Sequence, residues 1–144
     1  MSGKVLVAID LAHASEQKPI LETGKKLADM DGSSLAVMTV VPDFGMSVVG
    51  SFFDKDTSAR VLKSATEKLH AFVSETLGSD NNVQHVIQLG TAYEEILETS
   101  KELGITLIVL GAHKPEFKDF LLGPNAARVV RHSNCSVHVV RNKG

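Results

Sequence analysis

"KVLVAID", residues Lys4–Asp10, decides how the rest of the chain is read. Five apolar residues follow one another without alternation between a lysine and an aspartate, too short a run for a helix. Such a run is a strand buried on both faces, the kind found in parallel sheets. "ITLIVLG" (Ile105–Gly111) is the same kind of segment and the most apolar in the chain. These two strands, the first and the fourth, are expected to be neighbours at the centre of the sheet.

A strand covered on both faces needs helices on both sides, and the intervening sequence supplies them. Ile20, Leu21, Gly24, Leu27 and Ala28 recur at helical spacing with Lys25, Lys26 and Asp29 between them, and Gly32 stops the helix. "SLAVMTVV" (Ser34–Val41) is a second buried strand, halted by Pro42. Residues 42–56 show no clean period and read as a long loop, a candidate lid or interface built on Phe44–Phe53. Val61, Leu62, Ala65, Leu69, Phe72, Val73 and Leu77 mark one face of a long helix ending at Gly78. "VQHVIQLG" (Val83–Gly90) alternates weakly, as an edge strand would. "TAYE" (Thr91–Glu94) matches a capping box opening a helix to Leu103. A last helix, from about Pro124 to His132, leads to "SVHVVR" (Ser136–Arg141). The order β-α-β-loop-α-β-α-β-α-β predicts an α/β fold, a parallel sheet with helices on both faces.

With 144 residues, the chain is the length of one domain, 1–144, with a single core. At 43% hydrophobic and 22% charged residues it has the composition of a soluble globular protein. A net charge of −2 without a basic stripe gives nucleic-acid binding no electrostatic support. One cysteine, Cys135, excludes an internal disulfide framework and fits a reducing compartment. "MSGK" leads straight into the first strand, and no stretch reaches membrane-spanning length. A cytoplasmic location, away from membranes, is expected.

Ligands of open α/β sheets bind beyond the carboxyl ends of the strands, at the point where strand order reverses. If the first and fourth strands are neighbours, Asp10 faces the Gly111–Lys114 turn across one crevice. Free amides and the dipole at a helix start favour anions there. Gly123 lets the backbone of the last helix approach a ligand, and His113 and Lys114 add side-chain donors. The plainer alternatives are that these glycines are turn residues and that Asp10 caps the first helix. GxxxxGK[ST], GxGxxG after the first strand and GxSxG are all absent. The six histidines show no metal-ligand spacing, so no metal site is expected. Arg131 and His132 suit the end of a helix, and Cys135 reads as a small apolar residue.

The blocks "VLVAIDLAHAS", "LAVMTVVPD", "QLGTAYEEIL" and "LIVLGAHKPEFKDFLLGPNAARVVRHSNCSVHVVR" make the chain resemble the universal stress protein family over nearly its whole length. The resemblance implies a five-stranded parallel sheet of order 3-2-1-4-5, adenine nucleotide alpha hydrolase-like. It also implies homodimerisation through the last strand, by Val137, His138 and Val139, and a role in stress or growth arrest. One branch of that family binds ATP through G-x2-G-x9-G-[ST]. Here Gly111 matches the first glycine, Lys114 stands at the second, Gly123 matches the third after a segment one residue short, and Pro124 replaces Ser or Thr. The shortened loop resembles a subgroup that still binds ATP. The implied nucleotide site comprises Ala8, Asp10, Val40, Gly111, His113, Lys114, Gly123, Pro124, Asn125 and Ala126. In it Asp10 and Val40 meet the adenine and ribose, and the Asn125 and Ala126 amides meet the phosphates.

Pro124 lacks a hydroxyl and an N–H. A hydrogen bond to a charged group nets about 1.5–3 kcal/mol, so ATP binding, with Mg where present, is expected to be retained but weakened roughly ten- to a few-hundred-fold. Two other readings stand beside it. In one the chain is a dimeric interaction protein without nucleotide, working through its dimer surface or the Phe44–Phe53 loop on another protein. In the other it hydrolyses ATP or phosphorylates itself, which ranks lowest because no general base is positioned by the sequence.

Overall fold

A computed structural model describes residues 3–42, 55–112 and 122–141. Strands β1 (Lys4–Ala8), β2 (Ser34–Val41), β3 (Val83–Leu89), β4 (Leu107–Gly111) and β5 (Ser136–Val140) form one sheet in the order β3-β2-β1-β4-β5. Every adjacent pair is parallel. The helices are α1 (Ala14–Asp31), α2 (Lys55–Leu77), α3 (Ala92–Leu103) and α4 (Leu122–His132), with a 3-10 turn at Leu11–His13 ahead of α1. The expected fold and strand order are both present.

Alternation along the strands sorts the core into two layers. Val5, Val7, Leu35, Val37 and Val109 face α1 and α2, where Ile20, Leu21, Leu69 and Val73 meet them. Leu6, Ala36, Met38, Ile108 and Leu110 face α3 and α4, against Ile96, Ala126 and Val129. Leu6, Val7, Ile108 and Val109 are completely buried, and each such side chain stabilises the fold by about 1.5–3 kcal/mol. That is why the first and fourth strands are apolar without alternation: they are central, and both of their faces are covered.

Helix α1 approaches β1 closely at Gly24. A Cβ on Gly24 would stand 2.2 Å from Cγ2 of Val7, so only glycine admits this approach without a shift. The helix ends at Gly32, which takes φ 70° and donates its N–H to the Ala28 carbonyl. Gly104 closes α3 in the same left-handed conformation.

Three local expectations need correction. Thr91 does precede α3, but its side chain makes no capping bond. Instead its carbonyl accepts from the Glu95 amide at 3.0 Å, and Glu94 accepts from the Tyr93 hydroxyl at 3.2 Å. Val61 lies off the buried face of α2 and is 40% exposed, because the helix's contact stripe is carried by Ala65, Leu69, Phe72 and Val73. Helix α4 starts at Leu122, two residues before Pro124. A proline within the first turn breaks no helical hydrogen bond, so it permits the earlier start. The proposed Phe44–Phe53 lid or interface lies outside the described residues.

Candidate functional site

The sheet order reverses between β1 and β4. Their register places Val7 opposite Val109, so two residues further on Ile9 comes level with Gly111. Ile9 extends β1 past its assigned end by donating its N–H to the Met38 carbonyl at 2.9 Å, while its own carbonyl accepts from the buried Thr39 hydroxyl, also at 2.9 Å. Ala112 likewise extends β4, donating to the Val140 carbonyl at 3.0 Å. Asp10 and Ala112 are therefore the residues at which the two central strands part.

Asp10 is tied into the start of α1. Its Oδ1 accepts the Ala12 amide at 3.0 Å, and its Oδ2 lies 3.0 Å from Nδ1 of His13. Its own amide donates to Oε1 of Gln17 at 3.1 Å, and Gln17 is buried at 5% exposure. The carboxylate thus caps the 3-10 turn, while its side chain keeps 27% of its surface open.

Gly111 belongs to the α1 side of the sheet. A Cβ there would stand 2.4 Å from Cδ1 of Ile20, itself 2% exposed. A larger residue at this position would therefore force Ile20 to shift. Ala8 and Val40 lie on the opposite face, half-buried against the α3–α4 layer, and Ala126 of α4 is buried in that same layer. His113 and Lys114 lie outside the described residues. Gly123 and Pro124 fall in the first turn of α4, with Asn125 and Ala126 directly behind them. An α-helix leaves only its first-turn amides unpaired. With the start at Leu122, the first turn opens with Leu122 and Gly123, and Ala126 lies one turn in.

At the opposite, amino ends of the strands an open groove of about 450 Å³ lies between Lys25, Ser33, Leu35, Leu77, Asn82 and Val83. It is remote from the switch point. At the β5 edge, Val137 and Val139 are half-buried and His138 is exposed.

The structure also gathers residues that the sequence kept apart. His70 of α2, Asp80 of the following turn and His85 of β3 place one ligand-type atom each within 4.8 Å of one another. Nδ1 of His70 lies 2.7 Å from Oδ2 of Asp80, and the His70 and His85 rings stack with centroids 3.6 Å apart. The His70 hydrogen bond holds the Asp80 carboxyl below the usual range. Burial, reinforced by His70, lowers the pKa of His85. The one signal in the sequence was His85 between Val83 and Ile87, a polar residue on the side of β3 that faces the core.

The sheet order and the matched segments agree with the comparison to known families. The Universal stress protein family matches residues 1–141.

The chain belongs to the universal stress protein family.

Universal stress protein G of Shigella flexneri is 35% identical over 77 residues, 54% of each chain, so the chain spans about half the length of that relative. Universal stress protein A homolog 2 of Coxiella burnetii is 28% identical across 98% of this chain and 96% of its own. Among solved structures, MJ0577, a universal stress protein of Methanocaldococcus jannaschii, superposes with a TM-score of 0.77 at 24% identity, covering 100% of this chain and 99% of its own. A universal stress protein from Archaeoglobus fulgidus, solved in complex with dAMP, gives a TM-score of 0.65 at 15% identity over 95% of this chain and 96% of its own. These similarities establish the fold of this universal stress protein. Among the described residues no helix is long and apolar enough to cross a membrane.

Proposed function

We propose that this universal stress protein binds an adenine nucleotide, ATP with or without Mg, across the carboxyl ends of β1 and β4. It acts as a homodimeric stress-response protein rather than by turnover. The observation that carries this reading is the level reversal of strand order at Asp10 and Ala112, the position at which α/β sheets take nucleotides. The partly open Asp10 carboxylate stands at the adenine and ribose end, near Ala8 and Val40. The first turn of α4 is proposed to supply phosphate donors, with Gly111, His113, Lys114, Asn125 and Ala126 completing the phosphate end. The dAMP complex of the structural neighbour supports a nucleotide of this class. Pro124 withholds one donor, which places the affinity below that of a Ser or Thr loop.

Calorimetric titration with Mg-ATP tests the proposal. Saturable heat that weakens in Asp10→Ala is the expected result. No heat and no thermal shift at millimolar nucleotide would remove it.

One observation favours a second reading, that of a nucleotide-free interaction protein: both Asp10 oxygens are already engaged by Ala12 and His13. Mass analysis of purified, denatured protein separates the two, since only the first reading predicts a released nucleotide. Dimerisation through Val137, His138 and Val139 of β5 is common to both readings.

A further inference from the structure

We propose that His70, Asp80 and His85 form a binding site for a divalent transition ion of the zinc class, on the α2 side of β3 and separate from the switch-point crevice. The three come from a helix, a turn and an edge strand, yet their ligand atoms lie within 4.8 Å of one another. Two imidazoles and a carboxylate are a donor set suited to Zn²⁺, Ni²⁺ or Cu²⁺ and poorly suited to Mg²⁺. Among the described residues, Nε2 of His85 is buried and has no hydrogen-bond partner. A buried polar nitrogen left in this way costs stability, and a bound ion would satisfy it.

Stacked rings point their in-plane lone pairs side by side rather than at one centre. The His70 side chain is 45% exposed and the Asp80 side chain 34%. Ion binding therefore requires His70, now held by Asp80 and the stack, to turn toward its exposed side until the three atoms approach the roughly 3.3 Å spacing of a tetrahedral zinc site. Water completes the coordination.

The test uses the full chain, stripped with chelator and titrated with ZnCl₂ while imidazole ¹⁵N resonances are followed. One Zn²⁺ per chain is expected, with the His70 and His85 resonances moving together and returning on addition of EDTA. His85→Gln should weaken binding at least tenfold, and Asp80→Asn by about 10- to 100-fold. Unmoved His70 and His85 resonances at millimolar Zn²⁺ would overturn the site. So would binding reported by other histidines at an affinity unchanged in His70→Gln. The wild-type spectra decide the matter even where a variant fails to fold.

Discussion

Gly111 and Ile20 are in such close register that a Cβ on the glycine would fall 2.4 Å from Cδ1 of the isoleucine. The glycine that begins the family's phosphate pattern is thus also the seat of α1. Gly111→Ala should destabilise the protein by about 1–3 kcal/mol through overpacking, in the absence of nucleotide. Ile20→Val removes the clashing methyl and should recover part of that loss in the double variant. Additive losses in urea denaturation would show that the two positions do not communicate.

Asp10 separates its capping role from any ligand role by chemistry. Asp10→Asn retains an oxygen for the Ala12 amide, so its stability should stay close to that of the parent. Asp10→Ala removes the acceptor and should cost about 1 kcal/mol. Urea midpoints measure this difference, and nucleotide titration of the Asn variant then reports the ligand role alone.

Pro124 invites a gain-of-function test. Pro124→Ser returns an amide and a hydroxyl to the first turn of α4. A single added bond to phosphate is worth about 1.5–3 kcal/mol, so Mg-ATP should bind about tenfold tighter or better. Equal affinity for parent and variant would place the phosphates elsewhere.

His85 makes stability depend on pH. Its folded pKa lies below the ordinary histidine value of 6.5 because burial, and then His70, disfavour the charged ring, with Asp80 opposing them. The unfolded chain therefore binds the extra proton first. The stability contributed by the neutral ring is full above pH 6.5 and is lost as pH falls below it. Thermal melts in chelator should show Tm dropping between pH 7 and 5, and His85→Phe should flatten that drop.

The β5 edge carries the assembly prediction. Val139→Glu places a charge on the half-buried side of that strand, where it would be desolvated in an interface. Light scattering should find the parent as a dimer and the variant as a monomer.

The central architecture was legible because burial leaves a compositional trace. β1 and β4 are unbroken apolar runs, and Gly32 and Gly104 sit where only a left-handed residue ends a helix. What escaped was decided by geometry that a single sequence does not display. Thr91 and Glu94 have the spacing of a capping box, yet the Thr91 side chain does not cap and Glu94 pairs with Tyr93. Pro124 looked like a first helical residue because proline is favoured there, although the rest of the first turn accepts it as well. In the sequence Gly111 fits a ligand glycine or a turn glycine equally, and its packing reason lies in Ile20, which only the fold brings beside it. His70, Asp80 and His85 are spaced unlike any metal motif, and only the return of β3 under α2 brings them together.

The reversal of strand order also sets a timetable. Within this sheet β1 is made before its partners, and α1, β2, α2 and β3 can assemble on one side of it. Its other neighbour, beginning at Leu107 opposite Val5, arrives about a hundred residues later. Until then the nascent sheet carries a bare edge at one of its two central, unbroken apolar strands. Such edges recruit foreign strands, and pairing across so long a span is slow. The vulnerable moment in this protein's life is therefore the interval before residues 107–109 leave the ribosome, when what will become the centre of the sheet is still its margin.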